Sequence, residues 1–480
     1  MSTGSAGGPR VSLWTVIGFL AAIEFTSGIL QGYYTPMLTD IARHLAIHDA
    51  DVNWFEGTQL MLSALVVPAF AKLGDMVGHR RMLLISTAIV AASSLALPFA
   101  DTFWLFLVCW SVQGAYVVWL PLEVALIASR GRAQGAPPGL TVKAAGVLVA
   151  ALEAGAITGA LAGGALIDSV DLWLVLLIPG IAVGACFFVI LFGVSETPEI
   201  SGGRLDTTGL VLVSLALVAF TGGLSLLRVG GPSDGVAWAV TIVGVLLLIP
   251  FVLWELRHPD PLIDVRMFRD RSLGPVFLTA GLFGVSVLGA QAPLSTFART
   301  DPAVAGYGLG TTGFATSLII GLYLIAMIIG ALSYSWVARW TTPRLALIIA
   351  TSLVGAGYLL FLPLHDTYAQ LLTNMLIAGL GSGALVGALP AVAAAAAPPS
   401  QTGVATGLTN SVKTVGGAIA SCTFGIALAA GVTTGTAGSF SGYMTVWAVC
   451  GGTAVVAALA LVLVPRDAFG GRDGLKKRAK

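Results

Sequence analysis

One short polar stretch separates two long apolar runs near the start of the chain: Ala71-Lys72-Leu73-Gly74-Asp75-Met76-Val77-Gly78-His79-Arg80-Arg81-Met82-Leu83. Gly74 and Gly78 predict a tight turn and a close approach of two helices, because glycine has no side chain to obstruct either. Asp75 lies in the middle of this predicted turn. Arg80 and Arg81 follow it, and paired arginines beside an apolar run are typical of the cytoplasmic edge of a membrane span.

The composition of the chain is that of a membrane protein. Of its 480 residues, 56% are hydrophobic and 10% are charged, which leaves too little polar surface for a water-soluble globule. A net charge of +1 argues against nucleic acid as a partner. The cysteines lie inside apolar runs without the spacing of metal ligands, so we expect inert packing residues and neither a metal nor another cofactor. They are Cys109, Cys186, Cys422 and Cys450.

Fourteen apolar runs are long enough to cross a bilayer, which takes about 20 residues. Each is predicted to be a helix, because the backbone must satisfy its own hydrogen bonds in lipid and no closed-barrel alternation is present. The first run is expected to be an uncleaved helix rather than a signal peptide. The predicted spans, numbered 1 to 14 in order, are 13–34, 54–72, 82–100, 103–128, 144–167, 172–193, 208–227, 236–254, 273–297, 312–337, 343–363, 368–395, 403–429 and 443–464.

The basic residues predict the orientation in the membrane. With the N-terminus inside, Arg43, Arg228 and Arg299 are the basic residues of the outer loops, and Lys413 lies within a span. The rest of the 24 lysines and arginines then fall on the inner side. Because positive charge marks cytoplasmic loops, we expect both termini in the cytoplasm.

The distribution of charge also predicts a division of the chain into parts. Two polar connectors, 194–207 and 255–272, bracket spans 7 and 8, which carry no charged residue. We therefore expect a bundle of six helices, an insertion of two helices, a second bundle of six and a short basic cytoplasmic tail. The corresponding ranges are 1–193, 194–272, 273–466 and 467–480.

A second polar stretch, 335–344, is similar to the first and supports an internal repeat. Arg339 takes the place of Asp75 in it, and Arg344 takes the place of Arg80. Internal repeats are typical of transporters whose two halves rock about a central site.

The first polar stretch resembles the loop between the second and third membrane helices of the major facilitator superfamily. The residues that match are Leu73, Asp75, Gly78, Arg80 and Leu83. The whole chain is similar to the fourteen-helix drug:proton antiporter branch of that superfamily. This resemblance implies an all-α membrane protein with the major facilitator fold, made of two six-helix bundles and a two-helix insertion.

Span 5 is similar to the glycine-rich antiporter signature of that branch, with Ala160 in place of its proline. The resemblance implies a pliable helix at the interface between the halves; the alternative is ordinary packing of small residues. Its glycines are Gly146, Gly155, Gly159, Gly163 and Gly164. The residues expected to govern the conformational change are Asp75, Gly78, Arg80, Gly155, Gly159, Gly163 and Gly164.

Two departures from the branch concern proton coupling. Span 4 usually carries an arginine where this chain has Trp110, although the following Gln113-Gly114 is kept. Span 1 usually carries an aspartate where this chain has Ser27, and Glu24 is the carboxylate one turn earlier. The charged centre of the N-terminal half is therefore rebuilt or lost.

Four ionisable residues inside the predicted spans are candidates for a functional role, because charge within a membrane is costly and functional by default. At 1.5 Å per residue, Glu24, Glu153 and Lys413 lie roughly 15 Å from the inner surface, near the bilayer midplane. Glu123 lies closer to the cytoplasm. Since no histidine lies in a predicted span, a proton carrier would be one of the carboxylates.

We predict that Glu24 and Lys413 form an ion pair across the cavity in one state and separate in another. The alternative places Lys413 against a neighbour in its own half, as a fixed ion pair or a snorkelling side chain. For Glu123, the alternative to a coupling role is a hydrogen bond to the backbone near Pro121.

Polar and aromatic residues lie on the helices that line the cavity in this superfamily. As a set they predict a large amphipathic cavity with few fixed charges, suited to an apolar or weakly cationic molecule. They are Gln31, Gln59, Trp110, Gln113, Tyr116, Trp119, Gln291, Tyr323, Asn374 and Asn410.

These observations predict a secondary active transporter of a bacterial plasma membrane that exports hydrophobic or cationic molecules in exchange for protons. The sequence has no glycine-rich phosphate loop and no Ser/His/Asp set, so we do not expect an enzyme. Expected partners are a small-molecule substrate, protons and the lipid bilayer, with the chain acting as a monomer. One alternative is a facilitator or exchanger of an amphipathic metabolite or lipid without proton coupling. Another is a non-transporting receptor or scaffold.

Overall fold

The computed structural model describes residues 13–133, 140–195, 205–231, 233–259, 261–397, 402–431 and 435–463. These residues form helices and connecting turns and contain no strand. Fourteen helical segments are long and apolar enough to span a membrane, which confirms the predicted number. In chain order, the helices of spans 1 to 14 are Leu13–Tyr33 with Leu38–His44, Val52–Val77, His79–Ala96, Phe103–Gln113 with Trp119–Ala133, Leu140–Ile167, Leu172–Gly193, Thr207–Gly230, Gly235–Glu255, Gly274–Val287 with Gln291–Arg299, Gly313–Trp340, Pro343–Leu360, Tyr368–Ala396, Thr402–Ala429 and Phe440–Leu463.

Three of the spans are interrupted. In span 1 a short 3₁₀ turn, Thr35–Met37, forms around Pro36, whose ring cannot donate a backbone hydrogen bond. In span 4 the α-helix changes to a 3₁₀ turn over Gly114–Val118 and then resumes. Span 9 breaks between Val287 and Gln291. Such interruptions inside a helix often coincide with functional positions.

The predicted polar turn over 71–83 is wrong in its extent. Span 2 stays helical through Asp75 to Val77, and span 3 begins at His79, so the turn contains a single residue. That residue, Gly78, has a φ of 111°, which L-residues with a side chain rarely adopt, and its N–H still bonds the Gly74 carbonyl at 3.0 Å. A Cβ built on Gly74 would lie 2.6 Å from the Leu122 side chain, so Gly74 allows close packing on span 4.

The apolar residues are buried in two large clusters. Apart from one residue in each, the first cluster draws its members from spans 1–6 and the second from spans 9–14 with the segment that precedes them. Spans 7 and 8 pack on each other through Gly223 and Gly244, where added Cβ atoms would lie 2.3 Å from Thr241 and 2.4 Å from Phe220. The predicted division of the chain stays a prediction, and the basic tail 467–480 lies outside the described residues.

The predicted equivalence of Arg80 and Arg344 is confirmed. The Arg80 guanidinium donates to the Leu191 carbonyl at 2.7 Å and to the Val194 carbonyl, at the end of span 6. The Arg344 guanidinium donates to the Leu461 carbonyl at 2.9 Å and to the Val462 carbonyl, at the end of span 14. Each arginine thus ties the last span of its bundle to the start of the third span.

Two pairs of helices form the contact between the halves. Span 2 packs on span 13, where a Cβ added to Gly57 would lie 2.6 Å from the Cys422 sulfur. Span 5 packs on span 10, where a Cβ added to Gly164 would lie 2.5 Å from the Gly313 carbonyl oxygen. A cavity lies between these two contacts.

Candidate functional site

Glu24 of span 1 and Glu123 of span 4 form a fully buried pair of carboxyl groups. The exposed fraction of both residues is 0%, and the two side chains lie side by side. No donor among the described residues bonds any of their four oxygens. Two ionised carboxylates are acceptors only and repel each other, so a hydrogen bond between them requires a proton on one. The pair can therefore hold an exchangeable proton.

The surroundings of this pair belong to the N-terminal bundle. Cys186 of span 6 lies near Glu123 and donates through its thiol to the Thr26 hydroxyl at 3.1 Å. Thr26 in turn donates to the Ala22 carbonyl in span 1 at 3.1 Å. Spans 1, 4 and 6 thus enclose the pair, away from the contact between the halves. The predicted alternative for Glu123, a hydrogen bond to the backbone near Pro121, is not formed in this conformation.

Glu153 of span 5 and Lys413 of span 13 carry opposite charges, belong to opposite halves and lie within electrostatic reach of each other, and we treat them as a second pair. Both side chains are half-buried. The Tyr323 hydroxyl of span 10 lies near Glu153 and near Ser382 of span 12. The predicted pair of Glu24 with Lys413 is therefore absent from this conformation, because each residue faces a different partner.

The cavity between the halves holds about 540 Å³ of empty space that is continuous with the solvent. Three of the predicted cavity residues line it, namely Gln31, Gln291 and Tyr323. Large apolar side chains from spans 9, 10 and 12 also line it, as do Thr35 of span 1 and Tyr358 of span 11: Val287, Leu294, Ile320, Leu324 and Met375. A largely apolar wall with a few polar groups suits an amphipathic ligand.

Four of the predicted cavity residues are buried and used for packing within their own half. The Gln113 amide donates to the Tyr34 hydroxyl at 3.0 Å and to the Ser94 hydroxyl at 2.8 Å. Trp110 packs against the rings of Tyr34, Phe55 and Phe106. The position at which the resemblance implies an arginine is thus part of an aromatic cluster.

Asn374 and Gln59 complete this group. The Asn374 amide donates to the Leu364 carbonyl at 2.8 Å, and the Gln59 amide donates to the Trp110 carbonyl at 3.4 Å. Trp119 is fully buried against Tyr116, and Asn410 lies half-buried one turn from Lys413.

The glycines of span 5 serve mainly to pack it against span 1. Added Cβ atoms on Gly155, Gly159 and Gly163 would lie within 2.0–2.8 Å of backbone atoms of span 1. Gly164 faces Gly313 in the opposite half, and Gly146 has open space around it. The packing alternative therefore describes three of the five, and Gly164 is the one at the contact between the halves.

An ionic cluster closes one end of the cavity, which we call the gate end. The Arg299 guanidinium of span 9 donates to the Asp40 carboxylate of span 1 at 2.7 Å and lies 3.8 Å from the Asp168 carboxylate of span 5. Asp168 also accepts from the Gly313 and Phe314 amides at the start of span 10, both at 2.9 Å. Two spans of each half are thus joined there.

Asp75 lies at the opposite end of the molecule. Its carboxylate is 49% exposed and lies 3.2 Å from Nε2 of His79, the first residue of span 3. We expect Asp75 to contact the N-terminal end of span 13 when the gate end is open, and this stays a prediction for a conformation other than the present one.

Glu56 is a functional candidate that the sequence interpretation missed. The predicted span 2 began at residue 54, which placed Glu56 at the membrane surface. The helix begins at Val52, after the acidic 3₁₀ turn Asp49–Asp51, so Glu56 lies one turn inside. The acids before Val52 were the signal for this earlier start, because acidic residues favour helix N-termini.

Comparisons with known proteins all find similarity to membrane transporters or resistance proteins. The model of the Major Facilitator Superfamily matches residues 20–421. The chain is 25% identical over 468 residues to an uncharacterized MFS-type transporter, YwoD, of Bacillus subtilis, covering 94% of this chain and 98% of that protein. It is 28% identical over 443 residues to the puromycin resistance protein pur8 of Streptomyces alboniger, covering 89% and 83%. A crystal structure of the nucleoside transporter NupG superposes with a TM-score of 0.65 at 14% identity, covering 95% of this chain and 99% of that one.

Proposed function

The chain belongs to the major facilitator superfamily of membrane transporters, and we propose that it exports hydrophobic or cationic small molecules in exchange for protons. The observation that carries this proposal is the Glu24–Glu123 pair. This pair can hold a proton, and both of its residues lie within the N-terminal bundle. A transporter that binds only its substrate has no need of such a pair, since buried carboxyl groups are costly.

The direction of transport and the class of substrate rest on the relatives and on the cavity. Relatives of this chain are named a puromycin resistance protein, a multidrug resistance protein, and a tetracenomycin C resistance and export protein. Resistance by transport requires export. The largely apolar wall of the cavity, with polar groups that include Gln31, Gln291 and Tyr323, is compatible with amphipathic substrates of this kind.

The proposed cycle uses two arrangements of the halves. Protonation of the Glu24–Glu123 pair removes the repulsion between spans 1 and 4 in one arrangement, and loss of the proton restores it in the other. Rocking of the halves exposes the cavity to alternate sides of the membrane. We place both termini in the cytoplasm of a bacterial plasma membrane, so the gate end faces outward, and we propose that the monomer is the transporting unit.

A second candidate function is facilitated diffusion or substrate exchange without protons. The Trp110 side chain favours it, because an aromatic cluster occupies the position at which related antiporters carry an arginine. The two functions differ in whether a pH gradient drives accumulation. A receptor or scaffold that binds a ligand without moving it is the third.

Transport into vesicles decides among these functions. Purified protein is reconstituted into lipid vesicles, and a pH gradient is imposed across the membrane. The probes are ethidium, which is cationic, and puromycin. We expect accumulation against the probe gradient in wild type and its loss in Glu24→Gln. Equilibration without accumulation in wild type would establish the facilitator, and binding with no flux would establish the receptor.

A further inference from the structure

We propose that an amphipathic substrate dissolved in the cytoplasmic leaflet of the membrane enters the cavity laterally, through a gap between spans 5 and 10. This inference rests on the proposed export function and adds the route by which a substrate reaches its site. The two contacts between the halves differ in a way that favours this route. Spans 7 and 8 cover the contact of spans 2 and 13, whereas the contact of spans 5 and 10 lies on the opposite side of the cavity.

Spans 5 and 10 are tightly packed at the gate end. A Cβ added to Gly164 would lie 2.5 Å from the Gly313 carbonyl oxygen and 2.6 Å from the Ser317 side chain. About one turn further from the gate end, a Cβ added to Gly321 would lie 3.7 Å from the Leu161 side chain. The contact between the two helices thus loosens with distance from the gate end.

The same faces of the two helices are exposed toward the other end. Eighteen residues make five turns of an α-helix, so positions eighteen apart lie on one face. Gly146 lies eighteen residues before Gly164, is exposed and has open space around it. Ser335 lies eighteen residues after Ser317 and is exposed as well. The two helices therefore part toward their cytoplasmic ends and leave a gap between them.

The gap leads to the cavity. Ala156 of span 5 and Ile320, Tyr323 and Leu324 of span 10 line the cavity, and they lie between the packed and the parted ends of these two helices. None of the described residues of spans 2 and 13 contributes to this lining. A molecule that passes between spans 5 and 10 thus reaches the cavity without crossing the contact of spans 2 and 13.

The side chains that border the gap on the membrane side are apolar. Val147 of span 5 and Ile325 and Ile329 of span 10 are all exposed. Exposed apolar surface of this kind marks contact with a membrane or a ligand. The gap therefore suits an amphipathic molecule whose apolar part is already in lipid, rather than a fully hydrated one.

Spans 7 and 8 close the corresponding route on the other side of the molecule. Span 7 packs on both span 2 and span 13. Its Val213 and Leu217 are buried in one cluster with Met61 of span 2 and Ala418 of span 13, and Ile263 of the linker after span 8 packs against this cluster. Molecules in the membrane thus meet the insertion before they reach the contact of spans 2 and 13.

Polar contacts hold this cover in place at both of its ends. At the gate end, the Arg228 guanidinium of span 7 donates to the Asp51 carboxylate at 2.6 Å and lies 4.9 Å from the centre of the Phe103 ring. At the other end, the Glu255 carboxylate of span 8 accepts from the Ile263 amide at 3.1 Å. The insertion is thereby tied to the N-terminal half and to the linker that packs over the contact of spans 2 and 13.

Two glycines provide matched variants for the two sides. Gly407 of span 13 lies eighteen residues before Gly425, whose added Cβ would lie 3.3 Å from the Trp54 side chain of span 2. Gly407 therefore faces span 2, and like Gly146 it is exposed with open space around it. Gly146→Trp and Gly407→Trp each place an indole in open space on one side of the cavity. Gly146→Ala is the control at the same site, and thermal unfolding checks that every variant is folded.

The association of a membrane-dissolved dye tests the route without any pH gradient. The probe is TMA-DPH, a cation with an apolar body that partitions into lipid and accepts energy from the tryptophans of the protein. The part of this energy transfer that excess puromycin abolishes reports dye in the cavity. We expect Gly146→Trp to slow the rise of this part about tenfold or more, because the indole must move aside for the dye to pass. Gly146→Ala and Gly407→Trp should stay near the wild-type rate.

Equal slowing in Gly146→Trp and Gly407→Trp would overturn the lateral route and indicate entry from water between the halves. Slowing in Gly407→Trp alone, wild-type rates in both variants, or no energy transfer that puromycin abolishes in wild type would overturn it too. Failure of wild type to accumulate ethidium under a pH gradient, with dye association still slowed by Gly146→Trp alone, would instead count against the proposed function only.

Discussion

The two charge pairs within the spans of this molecule differ in the signs of their charges, in the halves to which they belong and in their burial. Glu24 and Glu123 have the same charge, belong to the same half and are fully buried. Glu153 and Lys413 have opposite charges, belong to opposite halves and are half-buried beside the cavity. Like charges in an enclosed site need a proton, whereas opposite charges satisfy each other. Depth alone thus does not reveal which buried charge handles protons.

The largest effect is expected at the Glu24–Glu123 pair, which we call the enclosed pair. Glu24→Gln and Glu123→Gln should each reduce proton-driven accumulation of ethidium by about a hundredfold, the lower range for a positioned proton-transfer group. Because the two residues act as a unit, the double variant should be no worse than the poorer single one. Vesicle uptake under an imposed pH gradient measures this.

Thr26→Val is the control for that prediction. It removes the hydroxyl that Cys186 contacts near the pair but leaves both carboxyl groups in place. Its accumulation should stay near that of wild type. Wild-type accumulation in both glutamine variants would make the enclosed pair a structural feature without a part in coupling.

The second effect is expected at the pair that joins the halves. Glu153→Gln and Lys413→Met should each lower the melting temperature, because the remaining charge loses its partner. The double variant should recover part of the loss, with a coupling energy of about 0.5–3 kcal/mol in a double-mutant cycle. Thermal unfolding in detergent measures the stability.

The charge reversal Glu153→Lys with Lys413→Glu sharpens this distinction. It should keep the dependence of transport on the pH gradient, since the enclosed pair is unchanged. Additive losses in the double-mutant cycle would show that the two side chains do not interact. Loss of pH dependence in the charge reversal would assign proton handling to Glu153 and Lys413 instead of the Glu24–Glu123 pair.

A third and smaller effect concerns the gate end, which must open for the cavity to be exposed on that side of the membrane. Arg299→Gln removes the charge that Asp40 and Asp168 share. We expect labelling of Gln31→Cys by a membrane-impermeant maleimide from the gate side to rise about tenfold, matching the loss of a charged hydrogen bond. Arg43→Gln is the control, because Arg43 also contacts Asp40, at 3.5 Å, but is exposed. Equal labelling in both variants would show that Arg299 does not hold the gate.

The number of spans and the repeat of Arg80 at Arg344 could be predicted from the sequence, because span length and loop charge are local properties. The partner of each buried charge could not. Glu24 and Lys413 have similar depth, but the side on which a helix presents a residue depends on how the helices pack. The glycines of span 5 illustrate this, since Gly155 lies against Phe25 of span 1 and thereby fixes the rotation of both helices.

The prediction of polar cavity residues was limited in the same way, because helix packing decides which side chains face the cavity. Gln31 and Gln291 line the cavity, whereas Gln113 and Asn374 bond groups in their own bundles. A glutamine on a cavity-lining helix can face either way, and the sequence around it does not distinguish the two. Glu56 was missed for a different reason, because the acids that start its helix were counted as a loop.

The smallest predicted effect separates a pH response of the gate end from that of the enclosed pair. His48 lies outside the spans, and its Nδ1 accepts from the Ala50 amide at 3.1 Å, two residues after it. Burial lowers the pKa of His48 below its ordinary value, and the neighbouring charges of Asp51 and Arg228 act in opposite directions. The neutral ring is therefore the form that the folded gate end favours.

The direction in which pH changes the stability of the gate end follows from the linkage between proton binding and folding. A histidine whose folded pKa is lowered contributes stability that is complete above its ordinary pKa and is lost as the pH falls through the lowered one. Acid should thus loosen the gate end, where the adjacent Asp49 amide bonds the Thr436 carbonyl at 2.8 Å. In a background of Glu24→Gln with Glu123→Gln, which removes both titrating carboxyl groups of the enclosed pair, lowering the pH from about 7 to about 5 should raise the labelling of Gln31→Cys about twofold, the low end for one neutral hydrogen bond. His48→Gln should remove this rise and leave the labelling at pH 7 unchanged; a rise that persists in His48→Gln would place the response on another group of the gate end.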